Sequence, residues 1–156
     1  MMLKGYRAAD ARLLTGPWLP GELLALPTPG RPALAEPVTV RPAVDDSEEL
    51  CVVPGAGFVR YTEIDWIHRH ARLEIGLGSG AEFTADELGV LLKNAVAHGF
   101  GALNLRRLYG WVTPAAQPPT EAVEAAGFRR EARLPQALWL DGRPVDREIW
   151  GVIGHG

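Results

Sequence analysis

The chain has 156 residues, a formal net charge of −3 and 47% hydrophobic residues. This length predicts a single domain over residues 1–156, large enough to form a core without a metal ion or disulfide. The negative charge argues against a nucleic-acid-binding protein, which needs a basic surface to neutralise phosphates. The sequence shows neither a run of about 20 apolar residues that would cross a membrane nor the apolar stretch of a signal peptide. We therefore expect a cytoplasmic protein that binds neither nucleic acid nor membrane.

The N-terminal part of the chain is rich in proline. Seven of the thirteen prolines lie between Pro17 and Pro42, and each lacks the backbone donor that a helix needs. We expect short helical turns and extended chain in this segment. Its apolar side chains indicate a packed wall of the domain rather than a linker; they are Trp18, Leu19, Leu23, Leu24 and Leu26.

Three strands are predicted in the next part of the chain. Glu49–Val53 and Phe58–Asp65 are rich in β-forming residues and flank the turn signal Pro54–Gly57. The third strand, Ala71–Leu77, alternates apolar and polar residues, as a half-buried strand does. Because the connection before it is short, we expect it to pair antiparallel with the preceding strand.

The pattern then changes to the period of a helix. Thr84 and Glu87 have the spacing of a capping box, in which each side chain bonds the backbone amide of the other. The apolar residues that follow predict one buried stripe; they are Leu88, Leu91, Leu92, Ala95 and Val96. Gly99 is the expected end of the helix. Leu105–Val112 is the next predicted strand, so strand, helix and strand form a βαβ unit with parallel strands.

The C-terminal part predicts a short helix and a hairpin. Glu121–Ala126 is the helix, and Gly127 ends it. Phe128–Leu140 and Val145–Ile153 are the strands, around a turn at residues 141–144. The whole pattern predicts a mixed α/β (α+β) domain whose N-terminal half is antiparallel and which contains one βαβ crossover.

The titratable residues do not predict a metal site. His68 and His70 lie in a turn between two predicted strands, and neither a cysteine nor a cluster of carboxylates accompanies them. His98 lies near the C-terminal end of the predicted helix, where it suits the helix dipole, and we interpret it as structural. Cys51, the single cysteine, is expected to pack in the core. No metal cofactor is therefore predicted.

Several of these pieces, in this order, resemble the GNAT acetyltransferases, especially the branch that includes the ribosomal-protein N-terminal acetyltransferases. The matching segments are Leu3–Ala11, Gly57–Arg60, Ile64–Trp66, Ala71–Gly76, Gly127–Glu131 and Asp141–Gly142 with Asp146. The resemblance implies the GNAT acyltransferase fold, acetyl-CoA as the acetyl donor and an amine as the acceptor.

The resemblance also implies where the coenzyme binds. In the family, a glycine-containing turn after the fourth strand and the start of the next helix hold the pyrophosphate through backbone amides. Here that turn comprises Gly78, Ser79, Gly80, Ala81, Glu82, Phe83 and Thr84. Ser79, Glu82 and Thr84 replace the Gln/Arg and the two key glycines of the family pattern. A carboxylate about 4 Å from a phosphate oxygen costs about 4 kcal/mol at an effective dielectric constant near 20, so Glu82 opposes coenzyme binding.

For the reaction, the resemblance implies a base and a donor to the thioester oxygen. The donor is a backbone amide of the fourth strand, at Ile75 or Gly76 in this chain. Glu74, on the polar face of that strand, is the candidate base; alternatively, it is a surface or cross-strand partner of Arg72. Gln117, one residue after the position of the family's asparagine, is the candidate contact for the pantetheine arm of the coenzyme.

Two hypotheses follow. The first is an N-acetyltransferase acting on a small-molecule amine, a peptide or a protein N-terminus. The second is a GNAT-fold binding or regulatory protein that no longer binds coenzyme A. The departures from the family pattern at Ser79, Glu82 and Thr84, and at Ala116 in the position of the family's asparagine, favour this second hypothesis. A homodimer is compatible with both. The proline-rich segment lies where the family forms one wall of its acceptor cleft, and its unusual sequence leaves the acceptor open.

Overall fold

A seven-stranded sheet with the strand order β1-β4-β5-β6-β7-β9-β8 organises the described part of the chain. The structure is a computed structural model and describes residues 2–26, 38–78 and 82–154. Its strands are β1 (Lys4–Gly5), β2 (Thr15–Gly16), β3 (Val38–Thr39), β4 (Glu49–Val53), β5 (Gly57–Asp65), β6 (His70–Leu77), β7 (Arg107–Val112), β8 (Arg129–Leu140) and β9 (Arg143–Ile153). The α-helices are α1 (Ala85–Gly101) and α2 (Thr120–Ala125), and 3₁₀ turns lie at Ala8–Leu14 and Pro114–Ala116.

The strands of the sheet are antiparallel to their neighbours except for β6 and β7, which are parallel. A parallel pair needs a crossover connection, and α1 provides it. The predicted mixed α/β class, with an antiparallel N-terminal half and one βαβ unit, is therefore confirmed. Strands β2 and β3 form a separate antiparallel pair beside this sheet.

The predicted capping box begins α1. The Thr84 hydroxyl accepts a hydrogen bond of 3.1 Å from the Glu87 amide, and the Thr84 amide donates one of 3.1 Å to the Glu87 carboxylate. The predicted stripe contains three side chains with no exposed area; they are Leu91, Leu92 and Ala95. Local sequence therefore fixes both where this helix begins and which face it buries.

The predicted end of the helix at Gly99 is wrong, because α1 continues to Gly101. Gly99 is buried, and a Cβ atom there would lie 2.9 Å from the Cδ1 atom of Leu108 on β7. The glycine thus allows close packing of α1 on the sheet rather than ending the helix.

Strand β6 is buried on both faces. The predicted core face has no exposed area; it consists of Ala71, Leu73, Ile75 and Leu77. On the other face, Glu74 is only 7% exposed and Gly76 is buried. The prediction of a half-buried strand is wrong because N-terminal residues cover this second face. Trp18 is one of them, and its indole nitrogen donates a hydrogen bond of 2.9 Å to the Leu77 carbonyl.

The predicted C-terminal helix and hairpin are confirmed. Gly127 follows α2 with a φ of +99°. Asp141 and Gly142 form the turn between β8 and β9 with φ values of 52° and 77°, as two-residue hairpin turns require. Arg143 and Pro144, predicted as turn residues, instead begin β9 and pair with β8.

Where it is described, the proline-rich segment forms extended chain, as predicted, together with turns and bends. The short helical turns predicted there are absent from residues 17–26 and 38–42. Four of the five apolar side chains named in the sequence analysis are buried; they are Trp18, Leu19, Leu23 and Leu24. Cys51 is also buried, as expected. No helix within the described ranges is both long enough and apolar enough to span a membrane.

Candidate functional site

A gap opens between the two parallel strands of the sheet. Strands β6 and β7 pair only from His70–Arg107 to Arg72–Tyr109. Beyond Arg72, β6 continues to Leu77 without pairing with β7, and both strands end on this side. The carboxyl ends of parallel strands commonly form ligand sites where neighbouring connections diverge.

Residues Glu22–Ala25, which we call the inserted segment, fill this gap. On the β7 side, the Leu23 amide donates a hydrogen bond of 2.8 Å to the Trp111 carbonyl. On the β6 side, the Ala25 amide donates one of 2.8 Å to the Ile75 carbonyl. The Glu22 and Ala25 carbonyls accept bonds of 3.3 and 3.1 Å from the amides of Ile75 and Leu77. The inserted segment therefore acts as a short strand between β6 and β7, parallel to both.

A buried carboxylate fixes the start of the inserted segment. One oxygen of Glu22 accepts a hydrogen bond of 2.9 Å from the Thr113 amide. The other accepts bonds of 3.1 Å from the Thr113 hydroxyl and 2.9 Å from the Arg147 guanidinium. Burial raises the pKa of Glu22, while Arg147 and the bonds from Thr113 oppose that change. We call these three residues the Glu22 network.

A cavity of about 370 Å³ lies beside the inserted segment. Its walls carry three arginines and two glutamates among the described residues; they are Arg41, Arg60, Arg72, Glu22 and Glu74. Apolar side chains complete it; Trp18 from the N-terminal region and Phe58 from β5 have ring centroids 5.0 Å apart in an edge-on arrangement. We call this the arginine-lined cavity.

Glu74, the predicted base, lies on a wall of this cavity. Its carboxylate is 3.5 Å from the Arg60 guanidinium, and the two residues are directly opposite on β6 and β5. Arg60 also contacts the Glu48 carboxylate. The alternative that Glu74 is a surface or cross-strand partner of Arg72 is wrong, because Glu74 is buried and its cross-strand partner is Arg60. Arg72 instead lies 3.5 Å from the Glu63 carboxylate, without the geometry of a hydrogen bond.

The predicted backbone donors for the thioester lie at the inserted segment. The Ile75 amide already donates to Glu22, and Ile75 also lines the arginine-lined cavity. Gly76 is buried, and a Cβ atom there would lie 2.5 Å from the Phe58 ring and 2.9 Å from the Trp18 ring. With the inserted segment in place, the residues of the gap therefore do not fit the acetyl-bearing arm of the coenzyme.

The predicted pyrophosphate turn is described at its two ends. The Gly78 amide donates a hydrogen bond of 2.7 Å to the Ala56 carbonyl. Glu82 is exposed, while Phe83 is partly buried against the core. Thr84 caps α1, so its amide and that of Glu87 are already bonded. The predicted contacts Ser79, Gly80 and Ala81 lie outside the described residues.

Gln117 is separate from these groups. It is exposed and has a φ of 55°, and its backbone amide donates a hydrogen bond to the Pro114 carbonyl. It is not among the described residues that line the arginine-lined cavity. Its predicted contact with the coenzyme therefore stays a prediction.

The two histidines of the β5–β6 turn stack on each other, with ring centroids 6.4 Å apart at His68 and His70. Asp65 shapes this turn by accepting hydrogen bonds of 3.0 and 2.8 Å from the amides of Ile67 and His68. These bonds lower the pKa of Asp65, the His68 amide most of all. Asp65 therefore holds the turn between β5 and β6.

Sequence reasoning did not find Glu22, Thr113 or Arg147. Glu22 lies in a proline-rich stretch without a regular period, and its two partners are 91 and 125 residues further along the chain. No local pattern connects these positions. Only the packing of the N-terminal segment onto β6 and β7 brings them together.

The chain is similar to acetyltransferases of known structure. A point mutant of spermidine N-acetyltransferase from Vibrio cholerae has a TM-score of 0.64 and 25% identity, over 70% of this chain and 67% of that chain. The same enzyme in complex with CoA and spermine has a TM-score of 0.62 and 26% identity, over 69% and 66% of the two chains. These similarities confirm the predicted resemblance to the GNAT superfamily.

A curated relative agrees with this assignment. Spermidine N(1)-acetyltransferase of Vibrio cholerae serotype O1 is 29% identical over 110 residues, which cover 65% of this chain and 61% of that protein. This chain thus spans less than two thirds of the relative's length. No family model matches the chain. These relatives act on a polyamine by name, so the narrower resemblance to the ribosomal-protein branch stays a prediction.

Proposed function

We propose that this GNAT protein transfers an acetyl group from acetyl-CoA to the amine of a small molecule bound in the arginine-lined cavity. Glu74 supports this proposal by its position, because it is buried on the cavity wall beside the gap between β6 and β7. The similarity to spermidine N-acetyltransferases supports the same class of reaction and a small amine rather than a protein N-terminus.

In this proposal Glu74 prepares the acceptor. An ammonium group cannot attack a carbonyl carbon, so a proton must move to a base before the nitrogen lone pair is free. The Glu74 carboxylate takes that proton and becomes a neutral acid, while Arg60 holds the carboxylate in place. Acetyl-CoA, when bound, would supply the acetyl group as an activated thioester. Because the inserted segment bonds the Ile75 and Leu77 amides, it must leave the gap before the coenzyme arm can enter.

The charges of the cavity favour an acceptor that also carries an anionic group. Arg60 and Arg72 on the walls have carboxylate neighbours at Glu74 and Glu63, whereas Arg41 adds a further positive charge, and like charges repel a polycation. Arg41 is exposed at the cavity and has no ion-pair partner among the residues the structure describes. We therefore expect an amine bearing a carboxylate to be a better acceptor than spermidine.

Turnover of a panel of amines tests the base and the acceptor together. Release of the free thiol of coenzyme A is measured with spermidine, neutral amines and amino acids. Glu74→Gln should lower turnover by at least about 100-fold, the usual contribution of a general base. Glu124→Gln, an exposed acid on α2 outside the cavity, is the matched control and should leave turnover unchanged. Full activity of Glu74→Gln would remove this residue as the base.

Arg41→Gln tests the expected anionic group of the acceptor separately from the class of reaction. It should weaken the use of carboxylate-bearing amines several-fold and leave neutral amines unaffected, because it removes one cation and no base. If spermidine is the best acceptor and Arg41→Gln has no effect, the acceptor assignment is wrong while the reaction class stands.

The occupied gap favours a second candidate function, a GNAT-fold protein that binds a small ligand in the cavity without coenzyme. The Ile75 amide, one of the two predicted donors to the thioester oxygen, is bonded to the inserted segment, and Leu23 and Leu24 of that segment are buried. The exposed Glu82 adds a negative charge next to the start of α1. Each of these features lowers the affinity for acetyl-CoA.

A titration with acetyl-CoA distinguishes the two candidates. Under the first, calorimetry detects binding, and Glu22→Gln tightens it because loosening the Glu22 network raises the population of the open gap. Glu82→Gly also tightens it by removing repulsion. Val123→Ala, a core substitution in α2, controls for loss of stability and should not tighten binding. No binding by any of these proteins at millimolar coenzyme rejects the first candidate and leaves the second.

We also propose a homodimer. Strand β8 is a long edge strand with mostly exposed side chains, and Trp139 on it is 70% exposed. Uncovered edge strands tend to associate with other chains, and a dodecameric structure is known for the spermidine N-acetyltransferase of Vibrio cholerae. Light scattering should give twice the chain mass for the wild type and the chain mass for Trp139→Glu. A monomeric wild-type protein would reject this assembly.

A further inference from the structure

Three side chains with metal-binding atoms meet on the opposite half of the sheet from β7. Glu49 and Cys51 are two residues apart on β4 and therefore share a face of the strand, and His98 comes from the last turns of α1. The Cys51 Sγ atom is 3.9 Å from His98 Nε2 and 4.0 Å from Glu49 Oε2. The imidazole and the carboxylate are in hydrogen-bond contact. All three ligand atoms lie within 4.8 Å of one another.

The surrounding structure holds these side chains in place. Cys51 lies on an interior strand, paired with Gly5 on one side and Val59 on the other. The His98 ring packs 5.5 Å from the Tyr61 ring, and the Tyr61 hydroxyl donates a hydrogen bond of 2.6 Å to the Ala95 carbonyl one turn earlier in α1. The group therefore spans two rigid elements rather than a loop.

The group is also open to solvent on one side. Cys51 is 4% exposed, whereas the side chains of His98 and Glu49 are 30% and 36% exposed. A cavity of about 170 Å³ lies above them. An ion can thus enter from solvent, and a water molecule has room to complete its coordination.

We propose that Glu49, Cys51 and His98 bind a divalent transition-metal ion of the zinc class, with water as the fourth ligand. Thiolate, imidazole and carboxylate are the three ligand types that zinc takes in proteins. With bonds of about 2.3 Å to sulfur and about 2.1 Å to nitrogen or oxygen, a tetrahedral site separates sulfur from either atom by about 3.6 Å. The two sulfur distances in the structure are close to this value. The imidazole and carboxylate must move apart to admit the ion between them.

The donor set selects against other common ions. Magnesium and calcium prefer shells made entirely of oxygen ligands, whereas a thiolate next to an imidazole favours zinc and related metals. None of the three residues lines the arginine-lined cavity. The bound ion would link β4 to α1 and stabilise the folded chain by mass action, without taking part in the proposed acetyl transfer.

Metal titration of the full chain tests the site. The protein is treated with a chelator, exchanged into metal-free buffer and titrated with Zn²⁺ by calorimetry, with thermal unfolding followed in parallel. We expect one ion per chain and a higher Tm with Zn²⁺. Co²⁺ should give a thiolate-to-metal absorption band in the near ultraviolet, which reports directly on Cys51.

Variants assign the ligands. Cys51→Ser, His98→Gln and Glu49→Gln should each weaken Zn²⁺ binding at least about tenfold, and Cys51→Ser should abolish the Co²⁺ band. Because Glu49 is partly exposed, Glu49→Gln is expected to fold even if the other two do not. The double variant His68→Ala/His70→Ala removes the other histidine pair and should bind normally.

The outcomes that overturn the proposal are distinct. A plain ion pair between Glu49 and His98 predicts no Zn²⁺ binding and no change of Tm. Binding that survives in Glu49→Gln and Cys51→Ser, or that disappears in the His68/His70 double variant, places the ion elsewhere. Any of these results rejects the site.

Discussion

Strand β6 has two neighbours that are held in different ways. On one side, β5 pairs with it from Gly57–Leu77 to Asp65–His70 as an antiparallel hairpin. On the other, β7 pairs at only three positions and the inserted segment Glu22–Ala25 takes the remaining space. The first side is local in sequence and apolar. The second depends on directional hydrogen bonds to residues far along the chain.

These two kinds of contact predict where the molecule can open locally. The apolar contacts of β5, β6 and α1 are lost only when the core is exposed, so we expect them to resist local opening. The inserted segment can leave the gap when its backbone bonds and the Glu22 network break and Leu23 and Leu24 leave the core, while the rest of the sheet stays paired. A groove closed in this way is suited to a ligand that competes with the chain's own residues.

We expect the largest loss of stability from a substitution in the apolar core around β6. Leu73 on β6 has no exposed area, and Leu73→Ala should lower the free energy of unfolding by about 2–5 kcal/mol, as cavity-creating substitutions do. Urea denaturation measures this change. A loss similar to that of a surface substitution would show that the core around β6 is not the principal source of stability.

The matched substitution in the inserted segment should reduce stability less than Leu73→Ala does. Leu23 is equally buried, yet we expect Leu23→Ala to lower the free energy of unfolding by only about 1–2 kcal/mol, because the segment can open without global unfolding. Hydrogen exchange at the amides of Ile75 and Leu77 should become faster in this variant. Equal losses for Leu23→Ala and Leu73→Ala, with unchanged exchange, would mean that the two sides of β6 unfold together.

Glu22→Gln should lower the free energy of unfolding by a smaller amount, about 1 kcal/mol. The side-chain amide of the variant can still accept from Thr113, but its NH2 group faces the Arg147 guanidinium, which also only donates. Exchange at Ile75 and Leu77 should again become faster, whereas that of the β5–β6 hairpin should not change. Faster exchange throughout the sheet would contradict a local role for the Glu22 network.

The smallest effect is the dependence of stability on pH. Burial raises the pKa of Glu22 above its ordinary value of 4.5, so protonated Glu22 favours the folded state. This stabilisation is fully present below pH 4.5 and is lost as the pH rises through the raised pKa of the folded protein. The free energy of unfolding of the wild type, relative to Glu22→Gln, should therefore fall as pH increases above 4.5. Urea denaturation at several pH values measures it, and a rise instead of a fall would mean that Arg147 outweighs burial.

Much of the fold was predictable because its signals are local. The Thr84–Glu87 capping box joins residues three positions apart, and the alternation of Ala71–Leu77 marks one buried face within a single strand. The turn at Asp141–Gly142 needs only residues that tolerate positive φ. The family resemblance added the position of Glu74, which does lie on a cavity wall.

The site was only partly predictable because its decisive contacts are distant in sequence. The Glu22 network joins residues 91 and 125 positions apart, and the proposed metal group joins residues 49 positions apart. The same packing explains why β6 is buried on both faces although its sequence alternates. Sequence determined which residues form strands and helices, since those choices depend on near neighbours. Tertiary structure alone decided what fills the gap beside β6 and which side chains meet, because both depend on contacts between remote parts of the chain.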